Sequence, residues 1–492
     1  MKFCFEKKDF VEQHIQPNQL AVIDVNRELS WLNFEVEVNQ ICSFFELNNW
    51  DKLEKPVILY GHKQAEMIVM MYALMKMKIA YIPVDIIFPE QRINSIQKVV
   101  GVDFVVNCTD DNLNLSNTTE IKVRTGNIDI VNQYNHSLLK GETIDPLIYI
   151  IFTSGSTGEP KGVQITTSAI QTFTKWMTND FGFTPNDPFI NIALFSFDLS
   201  VYEVMSFGAI GSTLLLNDKT TTEDPELLMN RIEKYKGAIW VSTPSFSMTY
   251  SRIGLVDQLR SIKFFLFCGE TLPHPLASKL HSEFKDSIIY NSYGPTEATV
   301  ATTKVEISDE ILEKYNPLPV GYPKPDSKLL IEEDEIIIVG DNVSIGYLNR
   351  PDLNQDKFIV IDNKRAYKTG DRGFLKDGML FFSSRTDNQI KLHGYRIELD
   401  EITSKINDID FVLQAETIPL KRNGEVKKIV SLVQLKPNFD IVKDVKSEII
   451  NLLSKNLPHY MIPSDFKFIE KMPLNQNGKA DKKELEKVYL NL

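Results

Sequence analysis

The chain has little of what would place it in an oxidising compartment, in a membrane or on nucleic acid. Only four of its 492 residues are cysteine, namely Cys4, Cys42, Cys108 and Cys268. Their scatter fits neither a disulfide framework nor a metal cluster, so they read as reduced thiols. The seven histidines are equally dispersed and leave no zinc pattern. A cationic surplus is missing too. The formal charge is −12, whereas a nucleic-acid face needs clustered lysine and arginine. No apolar run reaches the ~18 residues of a membrane span. Met1 to Lys8 carries no signal-peptide core, so a cytoplasmic protein without a membrane partner is expected. There is no internal repeat and no low-complexity segment. What remains is an ordinary globular composition, 43% apolar and 24% charged, long enough for two or three domains.

Up to about residue 400, helix-period and strand-period segments alternate. Met67 to Lys78 reads as a helix and Ala80 to Val84 as the strand after it. Pro89 to Val99 leads to Phe104–Val106, Pro225 to Tyr235 leads to Ala238–Val241, and Pro275 to Phe284 leads to Ser287–Tyr290. Such repetition predicts an α/β fold with largely parallel sheets. From Leu318 to Phe382 shorter strands with Gly and Asp turns predict a small β-rich subdomain. Beyond Arg385 the pattern becomes a helix (Glu398–Ile406), a strand (Lys427–Leu435) and an amphipathic helix (Val445–Leu457). The expected organisation is therefore an N-terminal core, 1–386, and a small α+β C-terminal domain, 387–492.

The densest chemistry lies in Phe152 to Gly162, directly after the apolar strand Leu147–Phe152. Thr153, Ser154, Gly155, Ser156, Thr157, Gly158 and Lys161 combine glycines with hydroxyls and one cation. Glycines allow tight bends and close ligand approach, and successive N–H groups in such a bend attract anions. This is chemistry for polyphosphate, although Glu159 and Pro160 separate Gly158 from Lys161 and break the Walker pattern. Asn291 to Glu297 follows another predicted strand, where α/β sheets place ligands. There Tyr293 offers a flat ring, Thr296 a hydroxyl and Glu297 a carboxylate suited to Mg²⁺ on nucleotide phosphates. Tyr367 to Asp371 sets a carboxylate after a predicted tight turn, and a carboxylate accepts well from both hydroxyls of a ribose.

Together these segments resemble the adenylate-forming family, which includes amino-acid adenylation domains, acyl- and aryl-CoA ligases and D-alanine–carrier-protein ligases. The likeness runs from about Met75 to Lys479. Five motifs occur in the family's order: Thr153–Gly162, Asn291–Glu297, Tyr367–Asp371, Arg385–Glu398 and Asn475–Lys479. The resemblance implies ATP and Mg²⁺ as cofactors. It implies that the Thr153–Lys161 loop handles the pyrophosphate of ATP. Within the nucleotide stretch that holds Asn291 and Gly294, Tyr293 would stack on adenine, Thr296 would contact the α-phosphate and Glu297 would hold the metal. Asp371 would bind the ribose hydroxyls, with Arg385 nearby. Asp387 matches the hinge. Lys479 would bridge the substrate carboxylate and the α-phosphate, a charge suited to the transition state of that attack.

The same resemblance extends to the substrate. In amino-acid-activating members the segment matching Phe195–Glu203 carries an acidic anchor for the substrate amine, and Asp198 stands there. A buried ammonium needs such a partner, whereas acyl- and aryl-CoA ligases handle substrates lacking the amine. Matched by motif offset, the remaining pocket positions are Leu199, Tyr202, Val241, Leu266, Cys268, Ser292, Val300 and Ala301. This lining is mostly apolar and uncharged and suits a small aliphatic amino acid. The stretches around Ser242, Cys268 and Ala298 look nearest to the D-alanine–carrier-protein ligases. Tyr202 departs from that group, where a smaller or more flexible apolar residue is usual, and leaves glycine, L-alanine, serine and proline open. The chain ends 13 residues after Lys479 without a Gly-Gly-x-Ser attachment motif. A separate phosphopantetheinylated carrier protein is therefore the expected partner. Gly394 matches the stretch that lines the pantetheine channel, and rotation about Asp387 would serve two half-reactions at one site.

Overall fold

A computed structural model describes residues 16–491 except 114, 116–117, 126, 134–144, 154–159, 252–258, 386–388, 393–394, 423–424, 438–443 and 474–479. The helix-then-strand alternation builds two large sheets. One has nine strands. Its centre is parallel, running through Leu20–Ile23, Leu214–Leu216, Phe189–Asn191, Ile239–Ser242, Phe264–Phe267 and Ile288–Tyr293. Antiparallel strands close both ends. The other has seven strands, with Val57–Gly61 and Tyr81–Asp85 parallel in its middle. The fold is α/β, and the pairing places the carboxyl ends of the central strands on one edge, where such sheets bind ligands.

Local sequence explains where the elements begin. In the helix Pro225–Tyr235, Asp224 caps the N-terminus by accepting from the N–H groups of Glu226 and Leu227, and proline occupies the first turn. Its Leu228, Met229 and Ile232 are buried as one stripe. The helix Ala65–Lys76 is different, since every residue from Ala65 to Met75 is buried. It is enclosed on all sides and has no wet face.

A five-stranded antiparallel sheet is formed by Ser327–Glu332, Glu335–Gly340, Phe358–Ile361, Lys364–Lys376 and Met379–Arg385. Here one expectation is corrected. The Asp371 carboxylate does not come after a tight turn; Tyr367 to Asp371 lies inside the thirteen-residue strand Lys364–Lys376. The pairing jumps from Ile337 opposite Lys368 to Glu335 opposite Arg372. Thr369, Gly370 and Asp371 thus share one partner position, a bulge. Gly370 has φ +72°, a conformation cheap only for glycine, so a residue pair that reads as a turn instead kinks a strand.

By internal contacts the chain divides into two units. The first comprises the described residues up to Ile86, then 99–151 and 162–384. The second comprises 87–98, 152–161 and 385–491. In the second, Val412–Arg422, Glu425–Leu435 and Asp465–Phe468 form a sheet. Against it the helices Leu399–Asn407 and Val445–Ser454 bury Ile402, Ile406, Ile449 and Leu453 together with Ile429 and Val433. The buried Arg92 and Glu401 of this unit pair at 3.0 Å.

Candidate functional site

The first unit builds a buried polar cluster on the connection between the antiparallel strands Ile288–Tyr293 and Thr303–Glu306. Gly294 opens that connection. A Cβ there would lie 2.5 Å from Ala301 Cα and 2.8 Å from the Val300 carbonyl oxygen, so only glycine lets the two backbone arms close. Thr296–Ala298 forms one helical turn. Thr299 and Val300 then take φ of 56° and 68°. Left-handed backbone at two successive β-branched residues costs roughly 1–3 kcal/mol each. Asn342 holds the strained loop. Its side-chain amide donates to the Ala298 carbonyl at 3.0 Å and to Thr302 Oγ1 at 3.1 Å. In return, Thr299 Oγ1 donates to the Asn342 carbonyl at 2.6 Å.

Glu297 is fully buried. The Tyr347 hydroxyl donates to its Oε1 at 2.7 Å, and the Tyr367 hydroxyl lies 3.0 Å from that of Tyr347. Beside it, the Tyr293 hydroxyl donates to Asp371 Oδ2 at 2.7 Å, with Asp371 only 5% exposed. The bulge therefore aims the Asp371 carboxylate back at the loop that carries Tyr293, Thr296 and Glu297. Asn291 donates through Nδ2 to the Pro319 carbonyl at 2.8 Å. Its buried Oδ1 finds no partner among the described residues. The sequence did not single out Tyr347 or Asn342, which approach from a segment some 45 positions downstream. Their only local signal is the turn-like Gly340-Asp-Asn run.

The positions matched to a substrate pocket also lie in this unit. Tyr202, Val241, Leu266, Cys268, Val300 and Ala301 share one buried cluster, and Leu199 packs against it. The Ser292 hydroxyl donates to the Phe267 carbonyl at 2.8 Å, which leaves its Oγ to accept from the Tyr202 hydroxyl at 2.8 Å. The Tyr202 ring meets Phe173 edge-on at 5.3 Å. Burial, reinforced by the neighbouring Cys268, holds this phenol well above its usual range, so it stays neutral. Asp198 opens a short helical turn, Asp198–Ser200, whose N-cap is Phe197, and Ser200 is the N-cap of the following helix Val201–Ile210. Asp198 is thus no helix cap. Tyr149, missed in the sequence, lies in range of it. Burial first, and then the Asp198 charge, raise the Tyr149 phenol well above normal.

In the second unit, Lys161 is buried and its ammonium lies 3.4 Å from Glu398 Oε1, which also accepts from Gln389 Nε2 at 2.7 Å. Thr153 Oγ1 is buried without a partner among the described residues. Arg385 ends the strand Met379–Arg385. Ser154, Gly155, Ser156, Thr157, Gly158, Asp387, Gly394 and Lys479 lie outside the described residues.

The AMP-binding enzyme family matches residues 11–348. The chain belongs to the AMP-binding enzymes. Its curated relatives include the D-alanine–D-alanyl carrier protein ligase of Bacillus cereus (strain B4264), 37% identical, covering 95% of this chain and 96% of the relative. The protein of the same name from Staphylococcus epidermidis (strain RP62A) is 38% identical, with 97% of each chain covered. Among solved structures, the Vibrio cholerae adenylation domain AlmE in complex with glycyl-adenosine-5′-phosphate superposes with a TM-score of 0.80 at 18% identity, over 100% of this chain and 99% of that one. IdnL1 gives 0.81 at 18% identity, over 96% and 98%. These likenesses show the AMP-binding fold along nearly the whole chain. No described helix is long and apolar enough to cross a membrane.

Proposed function

We propose that this enzyme uses ATP to activate a small amino acid, D-alanine foremost, as an aminoacyl-adenylate, and then passes it to the phosphopantetheine thiol of a separate carrier protein. The observation that carries the reading is the near full-length relationship, at 37–38% identity, to proteins named D-alanine–D-alanyl carrier protein ligase. The enclosed, uncharged cluster around Tyr202 and Cys268 supports a small side chain.

In this reading Asp198 pairs with the substrate ammonium. Tyr202 closes the far side of the pocket through its bond to Ser292. Asp371 holds the ribose and Tyr293 flanks the adenine. Lys161 and the glycine-rich loop before it take the phosphates, and Thr153 and Asn291 each bring a buried oxygen that has no partner among the described residues. Lys479 brings an ammonium between the substrate carboxylate and the α-phosphate, where charge develops in the attack.

A magnesium ion fits the donor set. Mg²⁺ takes one or two protein carboxylates and completes its shell with phosphate oxygens and water. Glu297 offers a single buried carboxylate. Among the described residues no group of three or more metal-ligating side chains competes with it. When bound, the ion would neutralise phosphate charge.

An amino-acid-dependent pyrophosphate-release screen tests the reading. D-alanine should give the highest rate in a panel with L-alanine, glycine, serine and proline, and a carrier protein should then become loaded. Preference for another amino acid would keep the adenylation chemistry and remove D-alanine. Asp198→Ala should lose ~3–5 kcal/mol of transition-state binding, since it breaks a buried charge pair. Unchanged activation by that variant would remove the amino-acid reading.

A further inference from the structure

Behind the predicted substrate segment lies a buried charged cluster outside the groups already described. Lys63, just after the strand Val57–Gly61, is 3% exposed. Its ammonium donates to Asn191 Oδ1 and to the Ala193 carbonyl. It also lies 4.2 Å from the centre of the Phe195 ring. One cation thus grips three alternate residues of a single stretch. Asn191 ends the strand Phe189–Asn191 and closes its Nδ2 onto the same Ala193 carbonyl at 3.3 Å. From there to Phe197 the chain has no strand or helix to fix it. A turn from Leu194 to Phe197 follows, and Ser200 bonds back to the Phe197 carbonyl through both its N–H and its Oγ. Asp198 sits inside that closed stretch.

The charges around Lys63 make the arrangement costly. Glu203, on the helix Val201–Ile210, is fully buried, and its carboxylate faces the side chain of the same Asn191 and the Ile192 backbone. Burial pushes the Glu203 carboxyl up to about 8, against the pull of Lys63. Burial pulls Lys63 down to about 8, against the opposing charges of Glu203 and Asp85. Asp85 is itself tied to His62 Nδ1 at 2.8 Å, and His62 Nε2 accepts from the Lys219 N–H at 3.0 Å. Well-packed apolar residues usually serve stability as well as or better than such buried charges. A buried cation kept here, with its bonds spent on one irregular stretch, points to geometry as its purpose.

We propose that Lys63 is a positioning residue that fixes the 191–198 stretch and, through it, the carboxylate of Asp198 toward the substrate amine. The inference rests on the reading of Asp198 as the ammonium partner. Lys63 does not touch the substrate; it sets the ground on which Asp198 stands. Glu203 offsets the Lys63 charge from the helix that follows the stretch.

The test uses the full chain and D-alanine-dependent pyrophosphate exchange, with KM for D-alanine, KM for ATP and kcat measured separately. Lys63→Met should raise the KM for D-alanine about tenfold or more, with the KM for ATP and kcat within about threefold of wild type. Lys63→Met/Glu203→Gln, which removes both charges, should recover melting temperature but keep the raised KM. Should Lys63→Met alone fail to fold, the double variant carries the same comparison. An unchanged KM in Lys63→Met overturns the proposal. So does a double variant in which stability and KM recover together, because Lys63 would then only offset Glu203. Asp198→Asn in the same assay keeps the two readings apart. A raised KM there with none in the Lys63 variants rejects the positioning role alone, and an unchanged KM there rejects the anchor.

Discussion

Tyr202→Leu is the sharpest test of the pocket. The side chain is fully buried, edge-on to Phe173, with its hydroxyl on Ser292. Losing the hydroxyl leaves Ser292 still donating to the Phe267 carbonyl. That part of the change therefore costs about 1 kcal/mol, a net hydrogen bond with no orphaned donor. Trimming the ring leaves a partly collapsed void and adds roughly 1–3 kcal/mol of lost stability. The space gained should admit a longer aliphatic side chain. Each methylene accommodated is worth ~1–3 kcal/mol, or about 10–200-fold in kcat/KM. The assay is pyrophosphate exchange with D-alanine, D-2-aminobutyrate and D-norvaline. Wild type should fall steeply along that series, and Tyr202→Leu should flatten or reverse it. Tyr202→Phe keeps the ring and should keep the wild-type order. If folded Tyr202→Leu ranks the series as wild type does, Tyr202 does not bound the pocket.

If Lys479 acts as proposed, Lys479→Ala should nearly abolish adenylate formation while ATP binding stays measurable, because a charge needed chiefly as the α-phosphate is attacked affects turnover more than nucleotide affinity; near wild-type turnover would remove it from the site. Lys324→Met should stabilise the protein, and more at pH 6 than at pH 10. Lys324 is 2% exposed, its ammonium has no hydrogen-bond partner among the described residues, and burial lowers it from 10.5 to about 7 despite Asp326 and Asp341. Between those two values the unfolded chain holds a proton that the folded one lacks, so stability rises with pH across that window and the full penalty, at most about 5 kcal/mol, applies below pH 7. Melting curves of both proteins at the two pH values decide it, and an equal shift at both would refute the buried-cation argument.

Much of this was legible because the signals are contiguous. Pro225–Tyr235 carries its cap, its proline and its apolar period within a dozen residues, and its bounds read directly from sequence. The helix Ala65–Lys76 was placed two residues late, at Met67, because Gln64 makes no side-chain cap. With every residue from Ala65 to Met75 buried, no amphipathic edge marks the start. Asp371 was found as a carboxylate but set after a turn, since Gly-Asp signals a turn locally and only the partner strand reveals the bulge. The remaining features depend on contacts distant in sequence. Tyr347 reaches Glu297 across 50 positions, and Lys63 reaches Asn191 across 128. Lysine and glutamate are normally solvated, so nothing local in Lys63 or Glu203 announces a buried pair.

These misses share a physical cause that bears on function. Thr299 and Val300 in left-handed backbone, the fully buried Glu203 and Lys63 at 3% exposure all disfavour the folded state locally. A sequence read by propensity assigns each its cheapest state, and so it fails where the fold departs from that state. The departures are not spread evenly. Thr299 and Val300 lie one residue beyond Thr296 and Glu297. Lys63 and Glu203 bracket the stretch that carries Asp198. Specific bonds secure both places, between Asn342 and the Ala298–Thr299 pair in the first and from Lys63 to Asn191 and Ala193 in the second. Strain secured in this way keeps side chains in place before a ligand arrives, so less ordering remains to be done when substrate and nucleotide bind.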